Sequence, residues 1–313
     1  RVRLKPTGIS MGHIQRLLLI TLFAAISATA EPLLFDGQLA MQHIVNQLAY
    51  GPREPGNQKA KQGTLAYIEQ TLQPLDAKLN QQTFSAYDLQ GTNLWASFPA
   101  DGNIESTKQR IMLGAHWDTR PHADRDRDKS QRLLPVPGAN DGASGVAVLL
   151  EMARLLAARP APITVDLIFF DLEDMGEIGN RPFSIGARQF IATNPSYRPS
   201  AGIIVDMVCD KNLSIPRELY SQTRARPLMD QLWAIAKRQG ARAFKNRPGH
   251  YISDDHLPFL EAGIPVVDLI HYPFPAYWHS TEDSIDKCSG DSLKQVGNVL
   301  SDFIYTYGQN QAK

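Results

Sequence analysis

Cysteine is scarce: Cys209 and Cys288 are the only two in 313 residues. That is too few for a disulfide framework, and their spacing leaves pairing open. A buried cysteine at a strand end is more often a small hydrophobe than a ligand. Lys and Arg number 32 against 32 Asp and Glu, so the formal net charge is zero. Nucleic-acid binders carry a basic excess, and none is present here. No apolar run attains the roughly 20 residues that comfortably span a membrane. Neither a Gly-x-Gly-x-x-Gly nor a Walker pattern occurs, and Gly142-Ala143-Ser144-Gly145 lacks the spacing of a nucleophile elbow.

What is present suits a globular chain, with 43% hydrophobic and 20% charged residues. At this length one large α/β domain or two small ones can bury a sizeable core. Arg1, Arg3, Lys5 and Arg16 precede the run Leu17–Ile26, which exits through Ala28-Thr29-Ala30. A positive flank, a short apolar core and a small-x-small exit are the features of a secretory signal, against an uncleaved anchor as the alternative. The expectation is a signal peptide over 1–30, with Met11 a candidate start, and a single catalytic domain over 31–313. Export to the periplasm or medium follows. Removal of 1–30 takes four cations and no acid, leaving 28 Lys and Arg against 32 acids.

Leu39, Ile44, Val45 and Leu48 predict an amphipathic helix over 37–48, closed by the turn-rich Tyr50-Gly51-Pro52-Arg53-Glu54-Pro55-Gly56. A second helix is expected over 58–73. Strand-like runs follow at 82–89, 92–98, 110–115, 163–170, 202–208 and 265–270, with helical patterns over 142–158, 227–239 and 292–304. Most of these runs are separated by helical patterns, which predicts an α/β fold: a mostly parallel, twisted central sheet flanked by helices on both faces. Residues 120–132, rich in Arg, Asp and Lys, are expected to form a solvated loop near the site. Trp95, Trp117 and Trp233 are expected to serve packing.

In such sheets ligands bind beyond the carboxyl ends of the strands. Strand-like runs here end in His116-Trp117-Asp118, in Asp171 with Glu173-Asp174, in Asp206, and towards His279. Asp141 opens a helix, where it could also serve as N-cap. A catalytic zinc takes about three His or carboxylate ligands and keeps one position open. Asp141, Asp174 and His279 make such a set. Each alone has a plain reading as helix cap, loop charge or surface polar group; their joint position at strand ends is the more specific signal. Adjacent residues on an extended segment face opposite sides, so Asp174 can hold metal while Glu173 faces substrate as a proton shuttle.

The pieces Gly51-Pro52-Arg53-x-Pro55-Gly56, Gly114-Ala115-His116-Trp117-Asp118, Asp254-Asp255-His256-x-Pro258-Phe259 and Pro273-Phe274-Pro275-x-x-Trp278-His279 occur in order. With Asp141, Glu173-Asp174 and Asp206 they resemble the zinc aminopeptidase clan, and within it the animal-type glutaminyl cyclases in a bacterial form. The similarity runs from about residue 37 to the C-terminus. It implies one zinc per chain on Asp141, Asp174 and His279, and Glu173 as general base and then acid. Asp206 and Asp254 become its acidic hydrogen-bonding partners, and Trp278 packs on the substrate. The implied reaction is cyclisation of N-terminal glutamine of peptides to pyroglutamate with loss of ammonia.

Two departures bear on that reading. Asp174 stands where the animal enzymes use glutamate. A second tryptophan usually follows the acidic pair, yet none occurs between Asp174 and Gln189; Phe183 either replaces it or is ordinary helix packing. In the aminopeptidases the positions of His116 and Asp206 bind a second metal, so His116 is either a hydrogen bonder to neighbouring carboxylates or a second-metal ligand. A dinuclear zinc aminopeptidase is therefore the alternative, and a catalytically silent binding module on the same fold is a third reading.

Overall fold

The apolar run ending at Phe170 becomes a strand with all seven residues buried, as a strand covered on both faces must be. In the computed structural model, which describes residues 2, 34–100 and 109–307, it is one of eight strands. The chain begins with α1 (Gly37–Leu48) and α2 (Gln58–Leu72), then β1 (Lys78–Ala86), β2 (Leu89–Phe98) and β3 (Arg110–His116). Next come α3 (Ala143–Ala158), β4 (Thr164–Phe170), α4 (Ile185–Thr193), β5 (Ala201–Asp206) and β6 (Ile215–Arg217). Then follow α5 (Leu219–Arg224), α6 (Arg226–Gln239), β7 (Phe244–Pro248), α7 (His256–Glu261), β8 (Val266–Ile270) and α8 (Gly290–Thr306). The expected signal segment 1–30 lies, residue 2 aside, outside the described residues.

Six strands form one sheet in the order β1-β2-β4-β3-β5-β8. β1, β2 and β4 pair antiparallel, whereas β4, β3, β5 and β8 run parallel. The expected α/β class and mostly parallel sheet are found, with an antiparallel hairpin at one edge. Helices α1, α3 and α8 pack together, as do α4, α5 and α7, and these groups flank the sheet. β6 and β7 form a separate two-stranded sheet. Both strands are too short and polar to have shown a periodicity.

Register brings the carboxyl ends of the parallel strands level. His116 pairs with Phe170, and Asp206 with Ile270. The segments leaving β3, β4, β5 and β8 therefore emerge at one edge of the sheet; they carry Asp141, Glu173, Asp174 and His279, with Asp206 at the end of β5, while Asp254 comes from the segment between β7 and α7. No helix among the described residues is long and apolar enough to cross a membrane.

Candidate active site

Eight of the nine residues expected at the site, Asp141, Glu173, Asp174, Phe183, Asp206, Asp254, Trp278 and His279, line a single narrow pocket of about 30 Å³, and the ninth, His116, is buried behind Asp141 and Asp206 rather than in its lining. Asp206 ends β5, and Asp141 precedes α3. Glu173 and Asp174 follow β4, Asp254 precedes α7, and the Trp278-His279 pair lies in the loop after β8. Leu172, Met207 and His279 have φ of 58°, 47° and 51°. Non-glycine residues rarely adopt this left-handed region, and such conformations concentrate at functional sites. The Glu173-Asp174 pair therefore follows a sharp turn rather than extending a strand, and both carboxylates reach the same pocket. Asp141 is not a helix cap: Gly142 holds that position, and Asp141 turns towards His116 and His279.

His279 Nε2 stands 3.3 Å from Asp174 Oδ1 and 3.6 Å from Asp141 Oδ2. Its Nδ1 faces Asp124 Oδ1 at 3.6 Å. One ring nitrogen thus meets two converging carboxylates, while the other faces an outer carboxylate that would orient the ring for metal binding. Asp174 Oδ2 is buried and has no hydrogen-bond partner. Two carboxylates and an imidazole with donor atoms within 4.8 Å of one another, and a buried, unpartnered oxygen on Asp174, fit a zinc ion. Burial alone would lower the His279 pKa, but Asp174, Asp124 and Asp141 outweigh it and lift it to about 9.

The scaffold behind these groups includes residues that sequence patterning did not assign a role. Arg120 is buried, donating from Nη1 to Asp174 Oδ1 at 3.0 Å and gripping Asp124 through Nε and Nη2, both at 2.9 Å. The 120–132 segment is thus only partly the solvated loop expected. Arg120, Ala123 and Asp126 are buried, and Asp126 Oδ2 accepts from the backbone N and hydroxyl of Thr281 beside His279. A charge-rich run looks solvated in one dimension; its partners lie far away in sequence.

Asp118 accepts from the backbone N of Glu173 at 3.0 Å and of Asp174 at 3.2 Å. Asp283 does the same for Asn140 and Asp141, at 2.8 and 3.0 Å. Arg53 is fully buried and donates to the carbonyls of Trp117, Pro137 and Gly138, joining the segment after β3 to the one before α3. The Gly51-Pro52-Arg53 piece therefore works through its arginine.

Glu173 is held well above the ordinary carboxyl range, chiefly by burial and further by Asp254, Asp255 and Asp174, against the pull of His116. Burial also pushes Asp206 up to about 7 despite His116. His116 Nε2 lies 3.1 Å from Asp141 Oδ1 and 3.2 Å from Asp206 Oδ1, while Nδ1 meets Asp118 at 3.3 Å. The trio His116, Asp141 and Asp206 has a spacing that could also hold a metal.

The pocket's aromatic wall is a ladder. Trp278 stacks on His279 at 3.7 Å between ring centroids and on Phe274 at 4.3 Å, and Phe274 meets Tyr272 edge-on at 5.5 Å. Phe183 closes another side from the loop before α4, so it is pocket wall rather than helix packing. A Cβ added to Gly176 would fall 2.1 Å from its ring. Trp95 and Trp117 pack in the interior as expected, as does Trp233. Cys209 and Cys288 are joined in a disulfide.

The signature of peptidase family M28 matches residues 93–304. A zinc-dependent exopeptidase of Parabacteroides distasonis superposes with a TM-score of 0.81 at 34% identity, over 88% of this chain and 99% of its own. The glutaminyl cyclase of Bacteroides thetaiotaomicron, solved with N-acetylhistamine, gives the same TM-score and identity over 87% and 98%. The Bos taurus glutaminyl-peptide cyclotransferase is 25% identical over 297 residues, 82% of this chain and 78% of that protein. The chain thus belongs to peptidase family M28 and, within it, to the bacterial glutaminyl cyclases.

Proposed function

We propose that this protein is a zinc-dependent enzyme that converts the N-terminal glutamine of peptides and proteins to pyroglutamate with release of ammonia. One zinc per chain would sit among Asp141, Asp174 and His279. The observation that carries this reading is the pocket itself, in which a shielded Glu173 and the Asp206 and Asp254 carboxyls face the Trp278 wall beside that donor set. When bound, zinc supplies Lewis acidity at the side-chain carbonyl oxygen of the substrate.

The residues of the chain do the rest. Acidic groups draw in the positively charged N-terminus, and Asp206 holds the α-amine. Trp278 packs on the glutamine side chain and excludes water. The amine nitrogen bonds to the side-chain amide carbon, while the bond from that carbon to its original nitrogen breaks. The bound N-terminus first yields its extra proton to solvent and becomes a neutral amine; Glu173 then takes a proton from that nitrogen as it bonds and returns it to the departing nitrogen, which leaves as ammonia. Burial makes Glu173 a stronger base than an exposed glutamate and hence a ready carrier. The nucleophile belongs to the substrate, so its effective concentration is already high and no activated water is required.

Under this reading His116 is a hydrogen-bonding bridge between Asp118, Asp141 and Asp206. The M28 fold keeps the second reading alive: the same trio could take a second zinc and serve an aminopeptidase. Incubation with a peptide beginning in glutamine separates the two. Loss of one ammonia from an otherwise intact peptide is expected, with about one zinc bound; release of the free first residue and two zinc ions would overturn the cyclase. Glu173→Gln should lower kcat by roughly 10²- to 10⁴-fold with zinc content unchanged. Unchanged turnover would remove Glu173 from the mechanism.

We propose export as well, with 1–30 as a cleaved signal and 31–313 as the catalytic part. The leader pattern supports it, and so does the Cys209–Cys288 disulfide, a bond that persists in oxidising compartments.

A further inference from the structure

Asn140, Asp210 and Tyr277 are buried polar residues that the reaction does not use. They come from three separate segments: the one before α3, the one after β5, and the loop between β8 and α8. Each segment carries a pocket residue close by. Asp141 follows Asn140, Asp206 lies just upstream of Asp210, and His279 just downstream of Tyr277. The three side chains meet at one hydroxyl. Tyr277 Oη donates to Asp210 Oδ2 at 2.5 Å and accepts from Asn140 Nδ2 at 3.1 Å, across 137 residues of sequence. Asn140 Oδ1 in turn accepts from the Cys209 backbone N at 3.0 Å, so the chain of hydrogen bonds closes on the segment that holds Asp210.

The direction of these bonds is fixed. Burial, and then the hydrogen bond to Asp210, holds the Tyr277 phenol above its ordinary pKa, so it keeps its proton and donates it to the carboxylate. The Asn140 amide N–H then donates to the phenol oxygen. Tyr277 is anchored through its backbone as well. Its carbonyl accepts from Ser280 Oγ at 2.6 Å and from the Ser280 backbone N at 3.2 Å, closing the turn that carries Trp278 and His279. His279 has a φ of 51° in that turn, a conformation that persists in a histidine where the surroundings impose it. On the facing segment, Asp283 holds the backbone N of Asn140 and of Asp141. The Tyr277 hydroxyl adds the side-chain tie between that segment and the His279 turn.

We infer that Tyr277 is a positioning residue for the metal centre: through Asn140 and Asp210, its hydroxyl sets the spacing between the His279 turn and Asp141, and so the fit of the donor set to zinc. Tyr277 does not line the pocket and acts through the two ligands it spaces. The inference rests on the reading of Asp141, Asp174 and His279 as the zinc ligands, and the experiment separates the two.

Zinc affinity is measured by chelator competition on the whole protein for the parent, Tyr277→Phe, Asn140→Ala, their double variant, Tyr197→Phe and His279→Ala. Tyr277→Phe keeps the ring and loses only the hydroxyl, and zinc affinity should fall ~10- to 100-fold, the range for partners that orient metal ligands. Tyr197→Phe controls for lost stability alone. Tyr197 Oη donates to Asp166 Oδ2 at 2.8 Å near the amino end of β4, away from the strand ends that bear the site. That variant should lower the denaturant midpoint and leave zinc affinity at the parent's value. Asn140→Ala breaks the same chain as Tyr277→Phe, so the double variant should lose less than the product of the two single losses. An affinity in Tyr277→Phe no lower than in Tyr197→Phe overturns the inference, and so do losses that multiply in full. In either case, loss of zinc in His279→Ala leaves the ligand reading standing. Parent-like zinc binding in His279→Ala removes the ligand set and the inference with it. Should Tyr277→Phe fail to fold, Asn140→Ala takes its place against Tyr197→Phe, with the same expected fall.

Discussion

His279 is defined by its neighbours more than by its own chemistry. Asp124 faces Nδ1, Arg120 clamps Asp124, and Nε2 is left facing Asp174 and Asp141. An outer carboxylate of this kind orients a metal-binding imidazole and raises its basicity. Asp124→Ala should therefore weaken zinc binding by about 10- to 100-fold in a chelator competition. Unchanged affinity would show that Asp124 merely neutralises Arg120. Gly176 supports a second residue-level prediction. With hydrogen at Cα, the Phe183 ring closes directly over it. Gly176→Ala must displace that pocket-lining ring, and KM for a glutamine peptide should rise while zinc content stays constant.

At the scale of elements, the site depends on how strand ends are tied to distant loops. The Cys209–Cys288 bridge joins the segment after β5 to the start of α8 across 79 residues. The Cys209 backbone N donates to Asn140 Oδ1, one residue before Asp141. Closing a loop of this length restricts the unfolded chain, and its loss should cost roughly 4 kcal/mol. The double variant Cys209→Ser/Cys288→Ser, with no free thiol left to rearrange, should show that loss in denaturant titration. A midpoint equal to the parent's would mean that the chain remains as restricted without the bridge. Sequence periodicity predicted α1, α2, α3, α6 and α8 and the six strands of the main sheet within a few residues. The same patterning was silent on α4, α5, α7, β6 and β7. These are short elements, fixed by packing against neighbours rather than by repeat. Strand ends were legible because apolar runs stop abruptly at His116, Asp171 and Asp206.

For the molecule as a whole, the concentration of buried acid sets the response to pH. Burial and the Asp141 charge push Asp283 from 3.8 up to about 7, and burial does the same to Asp206. A carboxyl raised in the folded state holds a proton that the unfolded chain releases. Metal-free protein should therefore lose stability as pH rises from about 4 through about 7. Zinc at the proposed site would run the other way, because carboxylate and imidazole ligands must give up protons to bind. The gain in melting temperature on adding zinc should grow between about pH 5 and about pH 8. A gain independent of pH would place the ion away from these groups.

The sequence by itself determined the α/β class, the strand ends and a short set of candidate groups, because apolar periodicity and abrupt polar stops are local properties of the chain. It also carried the ordered pieces that mark the glutaminyl cyclases. Only the tertiary structure decided that eight distant residues share one pocket, that Arg120 and Asp126 are buried rather than solvated, and that Cys209 meets Cys288. It alone revealed His256 buried beside Glu218 and Asp268. Such contacts depend on strand register and on turns at residues such as Leu172 and His279. They join residues up to 155 positions apart, as in Asp126 with Thr281, and no local pattern encodes a pairing of that range.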